Sequence, residues 1–246
     1  MKALSGFVRA NRRVAGGLEA AHPKIFCDDS YVEVLLDRIN GAIGATRPQT
    51  VIEAGGVDRP LLGRGRGYEF VGIDIDDRPD CANVYDRFIV QSVEQPLPLK
   101  ADMIVSITLL EHVPDNEATM RSFFDALNAG GTTHHYCPSK WHPYSIALRL
   151  VGPKLQKILI RHLRPEAEAV TGYPAFFDYC TPGSMERLMK GIGFRDVSVR
   201  SFYSAADYFA FLLPAYFAVV GFEKICKLLG LRVFASGFVI SGVKSV

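Results

Sequence analysis

Short apolar runs alternate with polar and helical stretches along most of the chain. They predict five strands, at Thr50–Ala54, Phe70–Ile75, Arg87–Gln91, Met103–Ile107 and Thr132–Cys137. Two more strands are predicted later in the chain, at Asp196–Phe202 and Phe234–Val243. Strands that alternate with helices are joined by right-handed crossovers and form a mostly parallel sheet. The pattern therefore predicts an α/β fold.

Two helices are predicted from the residues that would cap them. Ser30 and Glu33 have the spacing of a capping box, and apolar residues follow at helical intervals until Gly44. Asp115 is an N-cap residue, and the helix after it is expected to extend to Asn128. Both helices lie within the alternating region, as an α/β fold requires.

Other parts of the chain depart from this alternation. Residues 1–28 have no clear period and are expected to form an irregular N-terminal arm, before one domain over residues 29–246. Residues 138–180 and 204–230 are expected to be helical insertions after the fifth and sixth strands. Because loops on a fixed scaffold usually determine substrate choice, we expect these insertions to form an acceptor site or a lid.

Composition restricts the class of protein. Of the 246 residues, 48% are hydrophobic and 22% are charged, which excludes wholesale disorder. The net charge of +2 argues against a dedicated nucleic-acid-binding protein. The five cysteines are odd in number and have no CxxC spacing, so no disulfide scaffold is expected. Residues 1–17 have no continuous apolar stretch of the secretory kind, and a cytoplasmic location is expected.

One charge-free segment bears on location. Phe209–Phe222 has fourteen residues without a charge and Pro214 in its middle. A helix needs about 20 apolar residues to cross roughly 30 Å of hydrocarbon, so a transmembrane span is not expected. A buried helix and an interfacial helix both fit. The basic helix face over Lys154–Arg164 fits a solvated surface or attraction to anionic lipid, which leaves peripheral membrane association open.

Candidate chemistry lies where the predicted strands end, because ligands of doubly wound sheets bind beyond the carboxyl ends of the strands. Glu53, Gly55 and Gly56 end the first strand, and adjacent glycines let the backbone turn sharply and approach a ligand closely. Asp74 closes the second strand about 20 residues later, where a carboxylate can accept both hydroxyls of a ribose.

The order of these features resembles class I S-adenosylmethionine-dependent methyltransferases, over about residues 49–202 and the last strand. In that family an acid and a glycine turn follow the first strand, an acid ends the second, and a Leu-Glu-His-Val run ends the fourth, as at Leu110–Val113. A Gly-Gly turn before the fifth strand matches Gly130 and Gly131. The resemblance implies a Rossmann-like doubly wound sheet, S-adenosylmethionine as cofactor, and cofactor-binding roles for Glu53, Gly55, Gly56, Asp74, Ile75, Ser92, Val93, Thr108, Leu109 and Glu111.

Several positions depart from the pattern of that family. Val57 stands where a third glycine is expected, Asp58-Arg59-Pro60 replaces the usual helix opening, and Ser92 stands where an acid commonly contacts the adenine amine. A second hypothesis is therefore a non-catalytic Rossmann-like binding module with a degenerate cofactor site. A nicotinamide-dependent oxidoreductase fits less well, because its full G-x-G-x-x-G turn is missing.

Two histidines are candidate catalytic residues, since an imidazole pKa of about 6.5 suits a general base at neutral pH. His135, with its neighbour His134 as the alternative, lies near the end of the fifth strand, and His112 follows the fourth. Glu111 and His112 could instead simply cap the next helix. No metal site is expected, because the histidines and cysteines have no standard zinc spacing.

The sequence thus predicts an S-adenosylmethionine-dependent methyltransferase that acts on a small-molecule, glycan or lipid-linked acceptor. In such an enzyme the methyl group is already activated, so alignment of the acceptor supplies much of the rate. Side chains proposed to line the acceptor site are Tyr136, Trp141, His142, Tyr144, Tyr173, Phe176, Phe177, Asp178 and Tyr179.

Overall fold

The structure, a computed structural model, describes residues 2–152 and 173–245. Its strands are β1 Thr50–Ala54, β2 Glu69–Asp74, β3 Arg87–Val90, β4 Ala101–Ile107, β5 Leu127–Pro138, β6 Phe194–Phe202 and β7 Gly237–Lys244. Its described α-helices are α1 Lys2–Ala21, α2 Pro23–Phe26, α3 Tyr31–Thr46, α4 Cys81–Val84, α5 Asn116–Ala126, α6 over residues 143–152, α7 Pro182–Ile192 and α8 Leu213–Leu228.

The strands form one sheet in the order β3-β2-β1-β4-β5-β7-β6. β1 pairs in parallel with both β2 and β4, β2 pairs in parallel with β3, and β4 with β5. Glu53 lies opposite Gly72 of β2 and Val105 of β4, so three carboxyl ends meet at one edge of the sheet. Strand order reverses between β1 and β4. The predicted α/β fold, a Rossmann-like doubly wound and mostly parallel sheet, is confirmed.

The central strands are buried on both faces. Val51 and Ile52 of β1 and Met103 and Ile104 of β4 are fully buried. Parallel strands covered on both sides need apolar side chains at nearly every position. This is why the strands are visible in the sequence as continuous apolar runs.

The chain divides into two compact units. What we call the sheet unit comprises Ser30–Pro138, Phe176–Arg200 and Phe238–Val246. What we call the helical unit comprises Met1–Asp29, Ser139–Ala175 and Ser201–Gly237. The predicted insertions, residues 138–180 and 204–230, fall mainly in the helical unit. Their role in an acceptor site or lid stays a prediction.

The N-terminal arm is helical over Lys2–Ala21, so the expectation of an irregular segment is wrong. Val8 and Ala15 are buried, one heptad apart, and Ala15 packs in a cluster with Tyr216 of α8. Leu4, Val8, Ala15 and Leu18 recur at helical spacing, so the sequence does carry an amphipathic pattern, although Gly16 and Gly17 lower the local helix propensity. Packing within the helical unit adds to the stabilisation of α1.

Both predicted helix caps are confirmed. The Ser30 hydroxyl accepts a hydrogen bond from the Glu33 amide at 3.3 Å, and the Asp115 carboxylate accepts one from the Ala118 amide at 2.8 Å. α5 ends at Ala126, two residues before the predicted end, because β5 begins directly after it. The caps place the start of α5 next to the end of β4.

The apolar segment Phe209–Phe222 is only partly helical in α8. Pro214 lies in the first turn of α8, where its missing N–H leaves no helix hydrogen bond unmade, and the helix continues to Leu228. None of the helices in the described ranges is long and apolar enough to cross a membrane. The basic helix predicted around Lys154–Leu163 lies outside the described residues.

Candidate active site

The carboxyl ends of β1, β2, β3 and β4 lie side by side at one edge of the sheet unit. This edge carries all ten residues predicted to bind the cofactor. At the β1 end, the Glu53 carboxylate is fully buried and accepts hydrogen bonds from the Leu61 amide at 2.5 Å and the Leu62 amide at 3.1 Å. Burial raises the pKa of Glu53 to about 7, while the two amides favour its charged form. Glu53 thus anchors the loop that follows β1.

The glycine turn after β1 is held against neighbouring side chains. Gly55 has φ +82°, and its amide donates to the Ile73 carbonyl at 2.9 Å. A β carbon at Gly55 would lie 2.9 Å from Leu109 Cδ1. A β carbon at Gly56 would overlap the Tyr85 hydroxyl and lie 2.7 Å from Glu53 Oε1. Side chains are therefore excluded at both glycines.

Val57 adopts the backbone conformation that a third glycine would favour. Its φ is +47°, in the left-handed region that a β-branched residue rarely enters. At position 57 the chain therefore departs from the family pattern in the side chain only, because the backbone keeps the conformation that a glycine would favour.

The end of β2 combines a half-buried acid with an exposed apolar residue. Asp74 Oδ1 accepts a hydrogen bond from the Asp76 amide at 2.9 Å, and burial raises the pKa of Asp74. Ile75 follows with 69% of its surface exposed. The Arg78 guanidinium donates to Asp58 Oδ1 at 2.9 Å, so an ion pair joins the loops after β1 and β2.

The loop after β3 connects to the start of α5. The Ser92 hydroxyl donates to Glu94 Oε2 at 3.1 Å, and Glu94 Oε1 accepts from the Asp115 amide at 3.0 Å. Val93 between them is buried. Ser92 therefore stands at the predicted place without the carboxylate common in the family, and the nearby Glu94 carboxylate is engaged with the start of α5.

The end of β4 turns into a short 3-10 helix over Leu110–His112. Thr108 has φ +50° and its amide donates to the Tyr136 carbonyl at 3.1 Å. The Glu111 side chain is buried, its Oε2 has no hydrogen-bond partner, and burial raises its pKa to about 8. An unpartnered buried carboxyl oxygen is costly, which makes Glu111 a candidate for a ligand contact.

The two candidate histidines have different environments. The His112 side chain is 35% exposed, and its Nε2 lies 3.8 Å from Glu111 Oε1. It therefore stays a candidate general base at the strand-end edge.

His135 lies in the core of the sheet unit. The Ser106 hydroxyl contacts its Nδ1 at 2.7 Å and Phe123 stacks on its ring. The Thr133 hydroxyl donates to the Ile104 carbonyl, so it accepts the Nε2 proton of His135. Burial lowers the pKa of His135 to about 3. Both nitrogens are engaged inside the protein, which contradicts the prediction that His135 is a general base.

The aromatic residues predicted to line an acceptor site are distributed over both units. In the sheet unit, Phe176 and Tyr179 are exposed, whereas Phe177 is buried and Tyr136 stacks on Tyr31 with ring centroids 3.8 Å apart. In the helical unit, Trp141 and Tyr173 are exposed, and the rings of Tyr144 and Tyr208 form a tilted pair. His142 is buried and contacts Glu223.

Sequence reasoning missed one residue at the glycine turn. Tyr85 is buried, and its hydroxyl has no hydrogen-bond partner beside Gly56. No local motif marks Tyr85, because the turn between α4 and β3 determines its position. Over the described residues, no group of three or more His, Cys, Asp or Glu side chains could hold a metal ion.

Comparison of the sequence with protein-family profiles identifies the family of the chain. Residues 29–199 match the profile of the family described as a methyltransferase domain, which covers more than half of the chain. The chain belongs to the methyltransferase domain family. The resemblance to class I S-adenosylmethionine-dependent methyltransferases is thereby confirmed. A comparison of this chain with curated protein sequences gives no match.

Solved methyltransferase structures share the fold. Phosphoethanolamine N-methyltransferase 2 from Haemonchus contortus, solved with phosphomonomethylethanolamine and S-adenosylhomocysteine, is similar with a TM-score of 0.52 and 15% identity, over 99% of this chain and 61% of that one. A putative sarcosine dimethylglycine methyltransferase from Galdieria sulphuraria gives a TM-score of 0.53 and 16% identity, over 87% and 84%. This chain spans 49% to 61% of the Haemonchus contortus chains.

Proposed function

We propose that this methyltransferase transfers a methyl group from S-adenosylmethionine to a small-molecule acceptor. One observation carries the proposal: the ends of β1, β2 and β4 bring a glycine turn, a half-buried acid and a buried, unpartnered carboxyl to one edge of the sheet. The residues concerned are Gly55, Asp74 and Glu111.

The end of β2 fits the nucleoside part of the cofactor. The Asp74 carboxylate would accept hydrogen bonds from ribose hydroxyls, and each such charge-assisted bond contributes about 1.5–3 kcal/mol. The exposed Ile75 side chain next to it offers an apolar surface for a base. Ser92 and Val93 lie in the loop after the neighbouring strand β3 and would bound the same side of the site.

The glycine turn and the β4 end fit the other part of the cofactor. Gly55 and Gly56 let the turn pack closely against Leu109, Tyr85 and Glu53, which holds its backbone beside the end of β4, where the ligand would lie. Thr108 and Leu109 form the opposite wall, and Leu109 contacts the turn directly. When bound, S-adenosylmethionine supplies a methyl group on a sulfonium, already activated towards a nucleophile.

His112 would take the proton that the acceptor loses. Its side chain is 35% exposed at the strand-end edge, and a neutral imidazole can accept a proton at a ring nitrogen from an amine or a hydroxyl.

A strained segment of the sheet unit would position the acceptor. The Phe176 and Phe177 amides both donate to the Glu111 carbonyl, at 2.8 and 3.1 Å. Phe177 and Tyr179 have φ of +53° and +49°, left-handed values that occur often at functional sites. The exposed Phe176 and Tyr179 rings would line one side of the site for a small acceptor.

Methyl transfer from labelled S-adenosylmethionine tests the proposal. The acceptor panel should contain phosphoethanolamine and sarcosine, chosen from the names of the structural neighbours, with an oligosaccharide and phosphatidylethanolamine vesicles for the glycan and lipid-linked alternatives. We expect transfer to a soluble small molecule, with a lower kcat in His112→Gln and a higher KM for cofactor in Asp74→Asn. Binding of S-adenosylhomocysteine without transfer to any acceptor would favour the degenerate binding module.

A further inference from the structure

The outward face of α8 is apolar. Phe217, Ile225 and Leu228 lie along this face with exposed fractions of 46%, 58% and 85%, and Ala218 and Gly221 between them are also exposed. The opposite face, which includes Tyr216, Val219 and Val220, is buried in the helical unit. A helix that is apolar on both sides requires a second apolar environment for its outer face.

The chain after α8 extends this surface. Leu229, which directly follows Leu228, is exposed, and so are Leu231 and Val233 a few residues later. Ile25 of α2 is also exposed, and its neighbour Phe26 contacts Phe217 with ring centroids 6.4 Å apart. We call these exposed side chains, together with the outer face of α8, the apolar surface of the helical unit.

Most acidic side chains of the helical unit are engaged within it, whereas most of its basic side chains are exposed. Its described residues include ten basic and five acidic side chains, a net charge of +5. Among these acids, Glu19 accepts from the Tyr216 hydroxyl, Asp28 from the Tyr203 amide and Lys227, and the buried Glu223 contacts His142. In the described ranges of this unit, Asp29 is the one exposed acid, against six exposed bases: Arg9, Arg13, Lys24, Arg149, Lys227 and Arg232.

Several of these bases adjoin the apolar surface in the chain. Lys24 precedes Ile25, Lys227 precedes Leu228, and Arg232 stands between two exposed aliphatic residues. Exposed apolar side chains interleaved with bases are typical of segments that lie in the interface of an anionic membrane. A second copy of the chain fits poorly, since two faces of the same positive sign would have to meet.

We propose that the apolar surface of the helical unit docks onto an anionic membrane surface, with Ile225 and Leu228 inserted at the interface and Lys24 and Arg232 on the headgroups. This proposal goes beyond methyl transfer and does not depend on it. Each base near a negatively charged leaflet contributes about 1 kcal/mol, and that attraction is screened by salt.

Co-sedimentation of the full chain with vesicles tests the proposal. We expect binding to vesicles that contain phosphatidylserine at low salt, much weaker binding at high salt, and little binding to pure phosphatidylcholine. Ile225→Glu with Leu228→Glu should abolish binding, and Lys24→Gln or Arg232→Gln should each weaken it about 5-fold, as the loss of one surface charge predicts. Val90→Glu changes an exposed aliphatic residue of β3 and is the matched control with unchanged binding.

The affinity for S-adenosylhomocysteine and the sedimentation velocity of each variant complete the experiment. Unchanged sedimentation velocity in the α8 variants shows that the fold is intact, and unchanged cofactor affinity separates this proposal from the proposed function. Absence of vesicle binding at low salt would overturn the proposal. So would equal binding to both vesicle types, or a wild-type dimer that Ile225→Glu converts to a monomer, because a second copy would then cover the face.

Discussion

The Leu109 side chain, in the turn after β4, packs over the α carbon of Gly55, in the turn after β1. A β carbon at Gly55 would lie 2.9 Å from Leu109 Cδ1 and 3.0 Å from Leu109 Cβ, and the backbone there has φ +82°. Glycine is therefore required at this position for two reasons: the left-handed conformation and the close contact between the two turns.

Gly55→Ala is expected to lower the free energy of unfolding by about 1–3 kcal/mol, because the left-handed conformation alone costs an alanine about 1–2 kcal/mol. The variant should also weaken S-adenosylhomocysteine binding. Adding Leu109→Ala should recover only the part of the loss due to Leu109 Cδ1 and Cγ, because the β carbon at position 109 stays 3.0 Å away. Gly63→Ala is the control, since nothing lies within 4 Å of a β carbon there. Urea unfolding measures all three, and equal effects at Gly55 and Gly63 would contradict the account.

Val57→Gly is expected to stabilise the protein. At φ +47° valine carries strain of about 1–3 kcal/mol, whereas glycine adopts this conformation freely and costs about 0.5–1 kcal/mol in the entropy of the unfolded chain. A net gain of about 1 kcal/mol should appear as a raised Tm. Val90→Gly, in the β3 strand, should lower it. A loss of stability in Val57→Gly would show that the side chain contributes more than the strain costs.

Tyr85→Phe is expected to leave stability unchanged or to raise it. The Tyr85 hydroxyl is buried without a hydrogen-bond partner, so its removal ends a desolvation penalty. Tyr216→Phe is the matched control, because the buried Tyr216 donates its hydroxyl proton to Glu19 Oε1 at 3.0 Å and the loss of this bond should cost stability. If Tyr85→Phe also weakens S-adenosylhomocysteine binding, the hydroxyl has its partner in the bound cofactor.

His135, one of two buried histidines of β5, should make stability depend on pH in a defined direction. Burial holds the pKa of His135 at about 3, below the unfolded value of about 6.5. The folded protein therefore resists protonation, and the stability that His135 contributes is complete above about pH 6.5 and falls as the pH is lowered towards 3.

The test compares wild type with His135→Gln by urea unfolding between about pH 7 and pH 4. The difference in unfolding free energy should shrink by up to about 1.4 kcal/mol per pH unit as the pH falls. The wild-type curve alone is not diagnostic, because the pKa values of Glu53 and Glu111 are raised to about 7 and 8 and their titration has the opposite sign. His22→Gln, at an exposed site, should follow wild type, and a pH-independent difference for His135→Gln would refute the assignment.

The parts of the fold predicted from the sequence are those fixed by local pattern. Buried parallel strands appear as apolar runs, and the Ser30 and Asp115 caps follow from short side-chain hydrogen bonds. The α1 helix was not predicted although Leu4, Val8, Ala15 and Leu18 recur at helical spacing, because Gly16 and Gly17 lower the local helix propensity. Sequence order also placed Asp74 at the strand-end edge, because parallel strands bring their carboxyl ends together.

His135 shows where the prediction of the site failed although a signal was present. Side chains two apart on a strand share a face, so Thr133 lies on the face of His135 and Thr132 on that of His134. In the structure each histidine Nε2 contacts the threonine two residues before it. The repeated Thr-x-His spacing on a buried strand indicates histidines satisfied by hydroxyls. Tyr85 gave no such signal, because tertiary structure alone brings its hydroxyl to Gly56.

Titration calorimetry of S-adenosylhomocysteine against wild type, Asp74→Asn and Asp77→Asn tests the central claim most directly. Asp74 is the half-buried acid at the end of β2, and Asp77 is an exposed acid three residues later in the same loop. Loss of one or two charge-assisted hydrogen bonds should weaken binding by about 10- to 1000-fold in Asp74→Asn. Asp77→Asn should bind like wild type. Equal affinity of wild type and Asp74→Asn, or no binding to wild type, would contradict the assignment of the strand-end edge as the cofactor site.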